Sequence, residues 1–126
     1  MKHVAGLWID HRQTVIVLLS GKTEEITRIT SHVEKHVPHS GSGQEAPIED
    51  HRDRRFLDHL NKYYDEVITH LHGAESILIL GPGEAKSEFA KRLRSEHPAG
   101  SIVGVETADR MTDHQIVARV RQHFIE

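Results

Sequence analysis

Ser76-Ile77-Leu78-Ile79-Leu80, followed at once by Gly81-Pro82-Gly83, is the stretch whose reading decides the fold. It is a short apolar run that ends at residues able to break regular structure, and so it reads as a strand. Its neighbours make it decisive. From Arg54 onward the apolar spacing is helical, with Phe56, Leu57, Leu60, Tyr64, Val67, Ile68 and Leu71 on one stripe that stops at Gly73. Glu84 to His97 repeats the helical pattern, with Ala85, Phe89 and Leu93 inward and Pro98 ending it. Ser101-Ile102-Val103-Gly104-Val105 is a further strand. Thr112 with Gln115 then forms a capping box for a last helix buried through Ile116, Val117, Val120 and Phe124. Strands separated by helices in this way run parallel to one another through right-handed crossovers.

The chain before Arg54 follows a different rule. Val4 to Asp10 is a largely apolar run, Thr14 to Leu19 is β-branched, and Glu25 to Thr30 alternates as a half-exposed strand does. The polar stretch from Asp10 to Gln13 and the turn Ser20-Gly21-Lys22 join them into an antiparallel meander. The element order is therefore β-β-β-α-β-α-β-α. It predicts an α/β domain over residues 1–126: a mixed five-stranded sheet covered by helices, in the manner of a ribonuclease H-like fold. There is no internal repeat.

Composition narrows the class. A chain of 126 residues with 37% hydrophobic and 28% charged residues is an ordinary globular domain, long enough to bury a core and too short for two. No apolar run approaches the ~18 residues needed to cross a bilayer, so neither a membrane span nor a signal peptide is expected. The absence of cysteine removes disulfide and thiol chemistry and suits a reducing cytoplasm. A formal charge of −3 argues against a dedicated nucleic-acid binder, yet 12 histidines give the surface a reserve of positive charge in acidic or anionic surroundings.

Between the third strand and the first helix, Glu34 to Asp53 holds Pro38, Gly41, Gly43 and Pro47 and no apolar periodicity. A connection of this length inside a compact domain is functional or disordered. Its tip, Ser42-Gly43-Gln44, has the small residues and the glutamine that push a backbone amide into a crowded site. The plainer reading of the same residues is a flexible solvated linker.

That loop, in this element order, resembles the central domain of eukaryotic and archaeal class-1 release factors, with their Gly-Gly-Gln loop. The resemblance spans nearly the whole chain, from Asp10 closing the first strand to Gly81-Pro82-Gly83, with Lys86 and Glu88 behind it. Gly81 to Lys86 and Val103-Gly104-Val105-Glu106-Thr107 also look like the small bacterial translational machinery components. In the release factors the loop glutamine helps a water attack the ester of peptidyl-tRNA. The resemblance thus implies a ribosome- or RNA-associated module in the cytoplasm, with no cofactor, no membrane partner and no small-molecule substrate. Gln44 and Gly43 would take the catalytic positions, and Lys35, His36, His39 and Arg52 would contact RNA. Ser42 stands where the family has its first glycine, and histidines largely replace the flanking lysines and arginines. Both departures oppose efficient hydrolysis. The stop-codon-reading and GTPase-binding domains have no counterpart in this stretch.

Two other chemistries are legible. Asp10 at the end of the first strand, with Glu106, Asp109 and Asp113 near the end of the fifth, could form the carboxylate set of a metal-dependent nuclease. His32, His36, His39 and His51 could gather a metal ion, although their spacing matches no compact ligand motif. Gly81-Pro82-Gly83 lacks the Gly-Lys-Ser/Thr signature of a phosphate loop and reads as a structural turn. Trp8 reads as core, and the charges of the second helix, Glu84 and Glu88 with Lys91, Arg92 and Arg94, as a solvated face.

Residues from about Glu34 to Asp53 contain little that offsets the entropy of ordering them. Amide hydrogen exchange on the isolated protein is expected to be fastest there, and strong protection across Gly41–Gln44 would refute the expectation.

Overall fold

A computed structural model describes residues 3–31, 46–96 and 101–125. The elements are β1 (His3–Ile9), β2 (Gln13–Ser20), β3 (Thr23–Thr30), α1 (Ala46–Thr69), β4 (Ser76–Gly81), α2 (Ala85–Glu96), β5 (Ser101–Thr107) and α3 (Asp113–Ile125). The five strands form one sheet in the order β3-β2-β1-β4-β5. The first three pair antiparallel, from Ile9↔Thr14 to His3↔Ser20 and from Ser20↔Thr23 to Gln13↔Thr30. β4 joins β1 in parallel, Val4↔Ser76 through Trp8↔Leu80, and β5 joins β4 in parallel. The mixed sheet is as the sequence predicts, and in it the first strand pairs with Ile77–Leu80.

Each face of the sheet has its own core, because alternate side chains of a strand point to opposite faces. On one face Ala5, Leu7, Ile9, Ile16, Ile77 and Ile79 pack against Leu60, Tyr63, Tyr64, Val67 and Leu71 of α1 and Phe89, Ala90 and Leu93 of α2. On the other, Val4, Trp8, Val15, Val17, Leu19, Leu78 and Leu80 receive Ile116 and Val120 of α3. At Gly6 a Cβ would lie 2.3 Å from Val120, so the missing side chain is what lets α3 settle onto β1. The capping box at the start of α3 is formed in both directions: Gln115 N donates to Thr112 Oγ1 at 3.1 Å, and Thr112 N donates to Gln115 Oε1 at 2.9 Å.

Three expectations change. First, α1 begins at Ala46, not at Arg54. Pro47 falls in the first turn, where its missing N–H costs no hydrogen bond, and Glu49 and Asp50 follow at the positive end of the helix. The turns before Arg54 carry almost no apolar residue, and so periodicity cannot find them. Second, Leu57 is not core but 55% exposed, and the neglected Tyr63 is 3% exposed. Third, β5 carries a bulge: Ile77 pairs with Ile102 and Leu78 with Gly104, leaving the exposed Val103 without a partner. A bulge on one edge strand and Glu24, Glu25 and Arg28 on the other are both devices that discourage edge-to-edge pairing.

Gly81 and Gly83 provide a test of the β4–α2 turn. A Cβ on Gly81 would lie 2.2 Å from the carbonyl oxygen of Ile9, whereas Gly83, at φ 62°, has open space around it. Gly83→Ala is expected to cost only the ~1–2 kcal/mol of left-handed backbone strain. Gly81→Ala must move backbone and is expected to cost more, at or above the ~1–3 kcal/mol typical of overpacking. Urea denaturation of the two variants checks the order.

Candidate functional site

The rim formed by the carboxyl ends of the strands is where chemistry-bearing residues converge. β1, β4 and β5 are parallel and end there, and β3, two antiparallel steps from β1, ends there as well. Open α/β sheets bind ligands at such an edge. The segment carrying Ser42-Gly43-Gln44 leaves from it. Its root is held down: Ser31 N donates to Arg12 O at 2.8 Å, and Ser31 Oγ donates to His11 O at 2.6 Å. The far end of the segment meets α1. Phe56 packs edge-on to the His11 ring at 6.2 Å, and the helix carries on past this contact to Ala46, about 15 Å further at 1.5 Å per residue.

Two tyrosines bind α1 to the rim. Tyr63 OH donates to Asp10 O at 2.9 Å. Its one proton being used, the buried Thr14 hydroxyl donates to the phenolic oxygen at 2.6 Å. Tyr64 OH donates to Glu88 Oε1 at 2.8 Å, and His11 Nε2 lies 3.0 Å from the same oxygen. A carboxylate only accepts, so Nε2 is the protonated ring nitrogen of this contact. Arg92 of α2 makes a bidentate pair with Asp65 of α1, Nε to Oδ1 at 2.6 Å and Nη2 to Oδ2 at 3.0 Å. Glu88 and Arg92, on the solvated side of α2 as expected, therefore also tie elements together.

Three of the four carboxylates considered for a nuclease have other partners. Asp10 Oδ1 accepts from Arg12 N and Gln13 N, both at 2.8 Å, and so closes the β1–β2 turn. Glu106 pairs with Arg119, and Asp113 with Arg28 at 2.8 Å. Asp109 serves through its backbone, accepting from Trp8 Nε1 at 3.0 Å. Among the described residues no three His, Cys, Asp or Glu side chains gather where they could hold a metal. Trp8 is core, as expected.

Of the loop residues, His32, Lys35, His36, His39, Ser42, Gly43 and Gln44 lie outside the described residues. His51 and Arg52 fall in the first two turns of α1, and their side chains also lie outside the description. The rim residues that the sequence reading missed are His11, Arg28, Tyr63 and Arg110. No local pattern marks any of them: His11, Arg28 and Tyr63 act on elements distant in sequence, and Arg110 is placed on the rim only by the fold. Two shallow clefts adjoin on this rim. One, of ≈300 Å³, is lined by Trp8, Asp10, Arg12, Gln13, Thr30, Pro82 and Arg110. The other, of ≈440 Å³, shares Trp8, Gln13 and Arg110 and adds Arg28.

No protein-family model matches the chain, and no curated protein is similar to it in sequence. Solved structures are similar in fold. The Pelota protein of Thermoplasma acidophilum superposes with a TM-score of 0.64 at 18% identity, over 96% of this chain and 32% of that one. Pelota of Archaeoglobus fulgidus gives 0.60 at 14% identity, over 98% and 32%. The archaeal translation termination factor aRF1 gives 0.58 at 14% identity, over 95% and 34%. This chain thus spans about a third of each of those proteins and shares the fold of that third.

Burial pushes both phenols well above the ordinary tyrosine pKa, and for Tyr64 the bond to Glu88 adds to the effect. Folding therefore holds these protons more tightly than unfolding does. Their contribution to stability is fully present below about pH 10, the unfolded value, and is lost as pH rises from there toward the folded values. They are the only two tyrosines in the chain. Ultraviolet difference absorbance at about pH 10.5, half a unit above that reference, is expected to show no tyrosinate until the protein unfolds.

Proposed function

We propose that this chain is a release-factor-like module that associates with the ribosome through RNA and does not hydrolyse peptidyl-tRNA efficiently by itself. The observation that carries this reading is the extent of the fold likeness. Pelota and the termination factor aRF1 match 95–98% of the chain, helices and mixed sheet together. The resemblance of Ser42-Gly43-Gln44 to the Gly-Gly-Gln loop of class-1 release factors adds the second support. In this reading Gln44 is the tip residue and Gly43 keeps the backbone narrow, while Lys35, His36, His39 and Arg52 meet ribosomal RNA. The module works in the cytoplasm, needs no cofactor and takes no small-molecule substrate. It is similar in these respects to the small bacterial translational machinery components.

Weak hydrolysis follows from positioning. A loop of this kind acts by placing an amide and a water, where a displacement of ~1 Å can cost ~100-fold. Ser42 narrows the backbone angles open to the loop, and histidines are mostly neutral at pH 7 where release factors carry permanent charge. The nuclease reading has no support among the described residues, and the side chains of the histidine-metal reading lie outside them.

The test has two parts. Co-sedimentation with ribosomes is expected at low salt, with release at moderate salt as befits a few phosphate contacts. Absence from ribosomal fractions at every salt concentration overturns the reading. Hydrolysis of ribosome-bound peptidyl-tRNA is then compared for wild type, Gln44→Ala and Ser42→Gly. Little turnover is expected from the wild type. Robust wild-type turnover that disappears in Gln44→Ala makes the chain an enzyme, and activity gained only in Ser42→Gly identifies a catalytic loop disabled at one position.

A further inference from the structure

We infer that the paired clefts on the α3 side of the rim form a docking surface for the phosphate backbone of single-stranded RNA, with Arg110 at its centre. The inference takes only the identity of the partner from the functional reading above. Its ground is a tertiary convergence. Arg12 comes from the β1–β2 turn, Arg28 from β3 and Arg110 from the β5–α3 connection, and together they line two adjoining clefts. Arg110 borders both.

The charges favour an anion. The two clefts hold three guanidinium groups, of which Arg12 already has a partner, against two carboxylates, Asp10 and Asp113. Asp10 is already engaged by two backbone N–H groups, and Asp113 by Arg28. Asp109 lines neither cleft. Arg28 is held in place by a second bond, Nη1 to Gln13 Oε1 at 2.9 Å, so this guanidinium is oriented before any ligand arrives. Arg110 is exposed and forms no hydrogen bond or ion pair with the described residues, which leaves its full fork of donors for a ligand. Guanidinium forks match phosphate oxygens two at a time, and donors on separate elements suit successive phosphates of a strand better than one compact anion. Three guanidinium groups against two carboxylates leave these clefts with a formal charge of +1, carried by Arg110, on a chain whose formal charge is −3. Association governed by a patch of this kind is steered and sensitive to salt.

The experiment is fluorescence anisotropy of a short labelled oligouridine with the intact chain, between about 50 and 200 mM salt. Arg110→Ala is expected to weaken binding several-fold at low salt and to lower the slope of log affinity against log salt by about one. Arg110→Glu is expected to weaken it further. Lys91→Ala and Arg94→Ala, on α2 across the sheet, are expected to match the wild type. Circular dichroism verifies that each variant is folded. Wild-type affinity and slope in Arg110→Ala, or no binding of oligouridine by the wild type at low salt, overturns the inference. So does binding of polyglutamate as tight as that of the RNA, which would point to an acidic protein surface. Ribosome co-sedimentation separates the two proposals. Arg110-dependent RNA binding by a protein absent from ribosomal fractions supports this surface and removes the functional reading. Full co-sedimentation of Arg110→Glu together with undiminished oligouridine binding overturns this surface alone.

Discussion

Strand β1 is paired on both edges and covered on both faces, and the placement of every other element is referred to it. Val4 through Ile9 are all buried. The pairing with β2 makes the meander, and the pairing with β4 makes the sheet mixed. Such a strand tolerates no slack, because interiors are packed as densely as organic crystals. Two glycines show where the tolerance runs out. Gly6 leaves the space that Val120 of α3 enters, and Gly81 lets the end of β4 approach the carbonyl of Ile9. The first sets how closely α3 lies on the sheet. The second sets where β4 ends relative to β1, and with it the height of the whole carboxyl rim.

The rim is organised by polar contacts that span long sequence distances. Tyr63 and Tyr64 are neighbours on α1, yet one reaches the backbone of Asp10 and the other reaches Glu88 on α2. Each buries a large ring with its hydroxyl paired, the arrangement a buried tyrosine requires. Through His11 and Arg12, whose carbonyls accept from Ser31, the same network holds the point from which the glutamine-bearing segment departs. A rigid frame of this kind is what a loop acting by position needs beneath it. Archaeal Pelota and aRF1 structures share the frame's fold at 14–18% identity, consistent with a core set by pattern and volume more than by particular residues.

Most of the fold was legible because it rests on local signals. The switch from alternating to helical spacing, the turn at Ser20-Gly21-Lys22 and the capping box at Thr112 and Gln115 each act within a few residues. The errors fall where a signal is missing or ambiguous. The first turns of α1 carry no apolar stripe, although Pro47 followed by Glu49 and Asp50 was a start signal that could have been weighed. Leu57 sits on the edge of the stripe and faces outward, while Tyr63, one position from the stripe, turns inward because Thr14 and Asp10 offer its hydroxyl two partners. Asp10 was legible as a strand-ending carboxylate, but sequence alone could not separate the Asx turn it makes from a ligand position, since both begin from the same residue.

By itself, the sequence determined the element order, the mixed character of the sheet, most of the buried positions on the strands and helices, and a Ser-Gly-Gln segment between the third strand and the first helix. These follow from periodicity and turn chemistry, which act between residues close in the chain. Only the tertiary structure decided which carboxylates are spent on turns and ion pairs, which tyrosines lock α1 to the rim, and that Arg12, Arg28 and Arg110 meet over adjoining clefts. Apart from the Asp10 turn, those outcomes depend on groups on separate elements being brought together, the hydrogen-bonded ones to within about 3 Å. No spacing along the chain encodes such a meeting; the packing of α1 and α3 onto opposite faces of β1 produces it.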